Sequence, residues 1–278
     1  NFFDISYLIL FKFYYIGFNM KLKIYQIDAF SKKIFKGNPA AVSPLDSWID
    51  DSLMQKIAAE NNLSETVFFV KEDDYYHIRW FTTSSEENLC GHATLASAYV
   101  LFEILDYKEK VIVFHSKSGV LKVSKTNDLY TLDFPLNDVS PIPLDEKFTN
   151  AFNIKPIEIH KSIDYLIVFE KEEDIHNLIP NFELIKQFDL RGVIVTAKSS
   201  KYDFICRFFD PNCGVPEDPV TGSAFTQLVP YWSNVLKKNE FNAKQVSQRG
   251  GEVFAKLNRE RVFISGNAVK YLEGEIYV

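Results

Sequence analysis

The sequence predicts an α+β protein of two similar lobes, in which each lobe is a curled sheet around one buried helix. Both halves of the chain run through strand patterns into a short glycine-containing turn, and then into a largely apolar helix. The turns are Cys-Gly-His-Ala at 90–93 and Thr-Gly-Ser-Ala at 221–224, and Gly91 and Gly222 lie 131 residues apart. No letter-for-letter repeat links the halves, so the prediction rests on the order of the elements.

The first half begins with a strand, because KLKIYQIDA at 21–29 alternates polar and apolar residues. Gly37, Asn38 and Pro39 form a turn, and an apolar run resumes at 40–42. A helix is predicted over 50–61, since apolar residues recur there at helical spacing and Asp50 can cap it. The other elements predicted in this half are strands at 64–70, 77–82, 111–115, 120–124 and 130–134, and a helix at 89–103.

A domain boundary is predicted at 135–143, where three prolines interrupt any hydrophobic period. The lobes are therefore expected over 20–135 and 136–265, with 266–278 returning to the N-terminal lobe as a strand. A helix is predicted at 222–235, which Pro230 should bend or shorten. Strands of this half are predicted at 164–170, 192–196, 204–209, 243–247, 252–257 and 261–265.

The segment 1–19 is predicted to be a non-native extension, with the natural start at Met20. It is rich in Phe, Tyr, Ile and Leu but has Asp4 near its start and Lys12 in its middle, which is the wrong order for a signal peptide. It is also short and interrupted for a membrane span. The alternative is a short packing or membrane-associating segment.

Composition excludes several classes of function. The formal net charge of -6 disfavours a general nucleic-acid-binding surface. Three cysteines are too few and odd in number for a disulfide framework, which indicates a reducing, cytoplasmic location. No CxxC, HxxxH or HExxH spacing occurs, so no metal site is predicted, and the dinucleotide, P-loop and nucleophile-elbow motifs are missing.

The two glycine turns predict an anion clamp. A helix N-terminus has unpaired backbone N–H groups and a partial positive charge, and glycine lets a ligand approach the backbone closely. Gly91 and Gly222 would therefore hold a carboxylate or phosphate if both helix starts face one cleft. The simpler explanation for either turn alone is that small residues serve packing.

Glu65 is the candidate general acid and base. Alternation puts it on the same strand face as Val67 and Phe69, and an inward, partly desolvated carboxylate can exchange protons near neutral pH. An outward glutamate on a one-sided sheet is the alternative. His92 could be an acid, a base or a structural histidine, and Asp218 could act on the substrate or only cap the coming helix.

Cys90 could be a thiolate at a helix N-terminus, where its pKa would fall. A racemase that uses two thiols would need a second cysteine at the matching turn. Thr221 occupies that position, so a two-cysteine proton relay is disfavoured.

Six blocks in order resemble the phenazine-biosynthesis-protein-like (PhzF-like) family. The blocks are IDAFSKKIFKGNPAAV (27–42), AAENNLSETVFFV (58–70), IRWFTTSSEENLCGHATLASAYVL (78–101), RFFDPNCGVPEDPVTGSA (207–224), SQRGGEVFAKL (247–257) and ERVFISGNAV (260–269). The resemblance implies the diaminopimelate epimerase-like fold, with two pseudo-symmetric lobes, each a β-barrel-like sheet around a central helix. It also implies a site between the lobes and a homodimer.

The resemblance implies a cofactor-independent isomerase that moves a proton on a small anionic substrate, as the best-known member does on a dihydro-hydroxyanthranilate. The residues at family catalytic positions are Glu65, His92 and Asp218, and those expected to bind substrate are Asn38, Ser64, Gly91, Gly222 and Ser223. The chain departs from the family at Phe225-Thr226, where members often carry a His-Cys pair.

Two other functions stay open from the sequence. One is an amino-acid epimerase or racemase that uses Glu65 or Cys90 with a partner base. The other is a binding protein without turnover, in which the clamp holds an anionic metabolite and Glu65 is a polar contact. No nucleic-acid or membrane partner is expected.

Overall fold

The computed structural model describes residues 20–213 and 215–278, and the predicted extension at 1–19 lies outside the described residues. The fold is the predicted α+β class. The elements of the first half are β1 (Lys21–Ala29), β2 (Asn38–Leu45), α1 (Asp51–Asn61), β3 (Glu65–Lys71), β4 (Tyr76–Phe81), β5 (Glu86–Glu87), α2 (Gly91–Tyr99) with a π-helical turn (Val100–Ile104), β6 (Val111–Ser116), β7 (Gly119–Thr126) and β8 (Leu129–Pro135). Those of the second half are β9 (Ser140–Ile142), α3 (Glu146–Phe152), β10 (Glu158–Lys161), β11 (Tyr165–Val168), α4 (Glu172–Asn177), α5 (Phe182–Ile185), β12 (Val193–Lys198), β13 (Phe204–Asp210), a 3₁₀ turn (Pro211–Cys213), β14 (Val215–Asp218), a second 3₁₀ turn (Gly222–Ala224), α6 (Phe225–Leu236), β15 (Glu240–Gln245), β16 (Gly251–Asn258), β17 (Arg261–Gly266) and β18 (Ala268–Tyr277).

The two lobes repeat one pattern of strand pairing. The N-terminal lobe has the order β18-β1-β2-β3-β4-β6-β7-β8, and the C-terminal lobe has β9-β10-β11-β12-β13-β15-β16-β17. In each lobe the third and fifth pairs are parallel and the others are antiparallel. The lobes join where β8 pairs with β17. The architecture is therefore pseudo-symmetric.

Each lobe takes its first strand from the segment that directly follows the last strand of the other lobe. β18 follows β17 in the chain, yet it crosses back and pairs with β1 along the whole of that strand. β9 follows β8 and pairs with β10. Because each crossing strand must dock on the other lobe, the lobes cannot separate without breaking strand pairs. The lobe boundaries drawn from the sequence stay predictions.

The pairing register exposes a side-chain repeat that the sequence alone did not reveal. Trp80 pairs with Glu87, and Phe208 pairs with Asp218 at the equivalent place in the other lobe. The neighbouring arginines repeat as well: Arg79 binds Glu86 through two hydrogen bonds of 2.8 and 2.9 Å, and Arg207 binds Glu217 with the same two lengths. Residues 86–93 thus correspond to 217–224, so Gly91 corresponds to Gly222.

The central helices α2 and α6 form the middle of a hydrophobic core shared by both lobes. Residues 91–98 of α2 are all buried, as are residues 225–232 of α6. Smaller cores lie under α1 and under α3, α4 and α5. Among the described residues, no helix has both the length and the hydrophobicity needed to cross a bilayer.

The prediction that Pro230 shortens its helix was wrong, because α6 continues through it to Leu236. The predicted bend stays a prediction. Proline has no N–H to donate to the carbonyl four residues earlier, which is that of Thr226. The backbone N–H of Asn137 donates to that carbonyl instead, at 3.0 Å, and the Asn137 amide also bonds the Thr226 hydroxyl. The segment after β8 therefore replaces the missing hydrogen bond.

Candidate active site

The starts of the two central helices touch at the seam between the lobes. A Cβ added at Gly91 would stand 3.5 Å from the Gly222 Cα, so the two glycine backbones are in van der Waals contact. A pocket of about 130 Å³ opens beside them. Its wall includes seven of the residues expected from the sequence, which are Ser64, Glu65, Gly91, His92, Asp218, Gly222 and Ser223.

Glu65 is the first residue of β3, and its side chain points toward α2. The side chain is 16% exposed, and its Oε2 lies 2.9 Å from the His92 Nε2. The angles of this contact fall outside hydrogen-bond geometry, and neither buried atom has another partner among the described residues. We therefore describe it as a close polar contact at the pocket wall.

Asn38 connects the two lobes at the base of the site. Its Nδ2 donates to the Asp218 Oδ1 at 2.7 Å and to the Val220 carbonyl at 3.0 Å, and both of these are acceptors. This fixes the orientation of the amide. Its oxygen accepts from the Ser64 hydroxyl at 3.3 Å, so Ser64 supports Asn38. Asn38 itself is fully buried and is not part of the pocket wall.

The orientation of Asn38 decides the tautomer of His92. The same Nδ2 lies 3.0 Å from the His92 Nδ1, and an amide nitrogen can only donate. Nδ1 therefore cannot donate to this nitrogen, which favours a ring proton on Nε2, facing Glu65. Burial disfavours the imidazolium, but the Cys90 and Glu65 groups beside the ring outweigh it and raise the pKa of His92. A ring proton on Nδ1 would face the Asn38 amide donor, so the neutral form of the ring is the Nε2–H tautomer.

Asp218 is held in a buried network of the C-terminal lobe. Its Oδ2 accepts from the Thr221 hydroxyl, and Gln245 bonds both the Asp218 carbonyl at 2.6 Å and the Thr221 N–H at 2.9 Å. Burial raises the pKa of Asp218, and the nearby Glu65 charge adds to the effect. The carboxylate thus bonds side chains of both lobes, and its hydrogen bonds are not those of a helix cap.

Cys90 does not have the depressed pKa that a helix N-terminus could give. Burial raises the pKa of the thiol to about 11, and the Glu65 carboxylate adds to the shift. The expectation of a thiolate at this turn was wrong, because desolvation outweighs the helix start. Glu65, Cys90 and His92 present potential metal-ligand atoms within 4.8 Å of one another.

Sequence reasoning missed a buried support behind Ser223. The Ser223 hydroxyl accepts from the Arg191 guanidinium at 3.2 Å. Arg191 binds the fully buried Asp164 through hydrogen bonds of 2.8 and 2.6 Å, and Gln227 donates to the same carboxylate at 2.8 Å. No motif marks these residues, because they come together only when β11, β12 and α6 pack.

The comparisons with known proteins agree on one family. The family described as phenazine biosynthesis-like protein matches residues 27–274. An uncharacterized isomerase of Pseudomonas aeruginosa is 46% identical over 259 residues, which cover 93% of this chain and 100% of that protein. An uncharacterized isomerase of Halalkalibacterium halodurans is 48% identical over 267 residues, covering 92% and 99%.

Solved structures give the same result. A phenazine biosynthesis protein of the PhzF family from Enterococcus faecalis has a TM-score of 0.91 and 43% identity, and the match covers 93% of this chain and 100% of that one. A hydroxyproline epimerase from Agrobacterium vitis has a TM-score of 0.63 at 9% identity, with 93% of each chain covered, which shows a shared fold.

The fold and the site define a two-lobed isomerase of the diaminopimelate epimerase-like class. The chain belongs to the phenazine biosynthesis-like protein family, as the sequence blocks predicted.

Proposed function

We propose that this isomerase moves a proton between atoms of a small carboxylate-bearing metabolite without a cofactor, and that Glu65 is its general acid and base. The observation that carries the proposal is the contact between Glu65 and His92 in the wall of a pocket beside two helix starts. A base and an anion-binding surface then face the same small volume.

The substrate carboxylate would rest on the backbone N–H groups at the starts of the two helices. Gly91 begins α2, and Gly222 begins the 3₁₀ turn that leads into α6. Aligned peptide dipoles favour negative charge at such ends. The absence of side chains on the two glycines lets the helix starts approach each other closely, so both lie at the same pocket. Ser223 adds a hydroxyl that Arg191 holds in place.

Glu65 would then take a proton from the substrate carbon that faces it. The C–H bond breaks, and its electron pair moves into the π system that the substrate carboxylate stabilises. The same carboxyl returns the proton at another position of that π system, so electrons and atoms balance within the substrate. The ring N–H of His92 faces Glu65 and would stabilise the carboxylate between the two transfers.

The chemistry of the two helix starts favours one base over two. A racemase removes a proton on one face and delivers another on the opposite face, so it needs a second base across the substrate. The matching positions in this chain are Cys90, a neutral thiol, and Thr221, an alcohol. A single base that returns its proton fits an isomerase better than an epimerase.

Exchange of solvent deuterium tests the proposal. Small carboxylates that carry an activated C–H are incubated with the enzyme in deuterium oxide and followed by NMR. The Glu65 carboxyl is partly exposed, so its proton exchanges with solvent between the two transfers, and we expect deuterium at a carbon different from the one that lost its proton. Deuterium at the original carbon with inverted configuration would indicate an epimerase, and binding without exchange would indicate a binding protein.

The homodimer and the cytoplasmic location stay predictions from the sequence. The same holds for a small anionic substrate, for which the paired helix starts are the supporting feature.

A further inference from the structure

Asp210 ends β13 and has a buried carboxylate oxygen without a hydrogen-bond partner among residues 20–213 and 215–278. The residue is 8% exposed, its Oδ1 is among the buried polar atoms left unpaired, and it contributes to the wall of the same pocket. Buried polar atoms in folded proteins are almost always paired, because an unpaired one loses its hydration without compensation. An unpaired carboxylate oxygen in a pocket wall therefore points to a ligand that donates to it.

The pseudo-symmetric position in the other lobe has a neutral residue instead of an acid. The strand register makes Thr82 the counterpart of Asp210, since both follow the matched pairs of β4–β5 and β13–β14. The Thr82 hydroxyl is used in its own turn, where it accepts from the N–H groups of Ser84 and Ser85 at 3.2 and 3.0 Å. The hydroxyl of Thr82 thus closes this turn in one lobe, whereas the other lobe has the carboxylate of Asp210 at the equivalent position.

The pocket as a whole is acidic. Four carboxylates contribute to its wall, which are Glu65, Glu87, Asp210 and Asp218. Arg191 also contributes to that wall, and its charge is balanced by the buried Asp164. A substrate with only negative charge would meet repulsion here that two helix starts offset in part. A positive group on the substrate removes this conflict.

We propose that Asp210 forms a binding subsite for a protonated amine of the substrate. The inference rests on the proposed function, because the carboxylate of the same molecule would lie at the helix starts. The substrate is then a zwitterion whose ammonium donates to the Asp210 Oδ1. Asp210 is a specificity-determining residue in this account, and Glu65 remains the group that moves the proton.

Matched ligands test the subsite by binding alone. L-proline is compared with cyclopentanecarboxylate, and L-alanine with L-lactate and propionate, by NMR titration of the wild-type protein. Because a charge-assisted hydrogen bond to a buried carboxylate is strong, we expect the amine of each set to bind roughly ten- to a hundredfold more tightly. In Asp210→Asn, which keeps shape but loses charge, this preference should fall to about threefold or less.

Two further variants and one stability measurement distinguish a failure of the subsite from a failure of the catalytic proposal. Asp46→Asn makes the same change at an exposed residue and should keep the wild-type preference for amines over the matched carboxylates. Glu65→Gln should also keep it, so a failed catalytic proposal would not be mistaken for a failed subsite. The melting temperature of Asp210→Asn should be equal or higher, because an unpaired buried charge is removed.

Three results would overturn the proposal. The first is a wild-type protein that binds each amine no better than its matched carboxylate. The second is equal binding of L-lactate and L-alanine, which would assign the subsite to a hydroxyl. The third is an Asp210→Asn protein that melts several degrees lower while it keeps its preference, which would make Asp210 a structural residue.

Discussion

The His92 Nε2 lies 2.9 Å from the Glu65 Oε2, and neither atom has a hydrogen-bond partner elsewhere in the described residues. The opposite ring nitrogen faces the Asn38 amide at 3.0 Å, which directs the ring proton toward Glu65. The pair therefore has one proton at the pocket wall and a base beside it. The predictions below follow from this arrangement and from its supports.

Removal of the His92 ring should slow proton transfer while substrate binding is retained. In His92→Gln the carboxylate of Glu65 loses its facing N–H, and general acid–base groups contribute about 10²- to 10⁴-fold to rate. We expect a loss of that size in solvent-deuterium exchange, with little change in the affinity for carboxylates. His176→Gln, on an exposed face of α4, is the matched control. An unchanged exchange rate would remove His92 from the chemistry.

A carboxylate in place of the Asn38 amide should destabilise the protein near neutral pH. Asn38→Asp would put an oxygen where Nδ2 now lies 2.7 Å from the Asp218 Oδ1, and two buried carboxylates repel each other. The free energy of unfolding should fall by about 2–4 kcal/mol, as measured in urea. The loss should shrink at low pH, where one carboxyl takes up a proton. A loss that does not depend on pH would contradict the charge explanation.

The buried carboxyl of Asp218 should make the folded protein less stable as the pH rises. Its pKa is higher in the folded state than in the unfolded chain, so the folded state holds the proton more tightly. The free energy of unfolding of the wild type, relative to that of Asp218→Asn, should be greatest below a pH of about 3.9, which is the pKa of this carboxyl in the unfolded chain. It should fall as the pH rises through the pKa of the carboxyl in the folded protein. Unfolding in urea at a series of pH values measures the difference. A difference that grows in favour of the wild type as pH rises would contradict this account.

Cys90 should be dispensable for proton transfer. Burial raises the pKa of its thiol to about 11, so it is neutral at physiological pH and a weak base. We expect Cys90→Ala to keep exchange within about threefold of wild type, since the general base lies elsewhere. Iodoacetamide should modify the wild-type thiol slowly at pH 8. Loss of exchange at a substrate α-carbon in Cys90→Ala would instead support the epimerase.

Local patterns in the sequence predicted those parts of the site that lie on single elements. The alternation around Glu65 and the glycine turns at Gly91 and Gly222 are visible from spacing alone. The family resemblance supplied the position of Asp218, which spacing left as a possible helix cap.

The parts that sequence reasoning missed depend on packing between elements. Arg191 and Asp164 lie 27 residues apart and meet only after β11 and β12 pair in parallel. The repeat between Arg79–Glu86 and Arg207–Glu217 was hidden because the spacing is seven residues in one lobe and ten in the other. Pairing register, which no local pattern supplies, was needed to find it.

The most direct test of the central claim is deuterium exchange by Glu65→Gln, with Glu60→Gln on the exposed face of α1 as the control. Both variants should show wild-type circular dichroism and wild-type affinity for carboxylates. The account predicts that Glu65→Gln loses exchange by about 10³-fold or more while Glu60→Gln retains it. Exchange that persists in folded Glu65→Gln would contradict the assignment of Glu65 as the group that moves the proton.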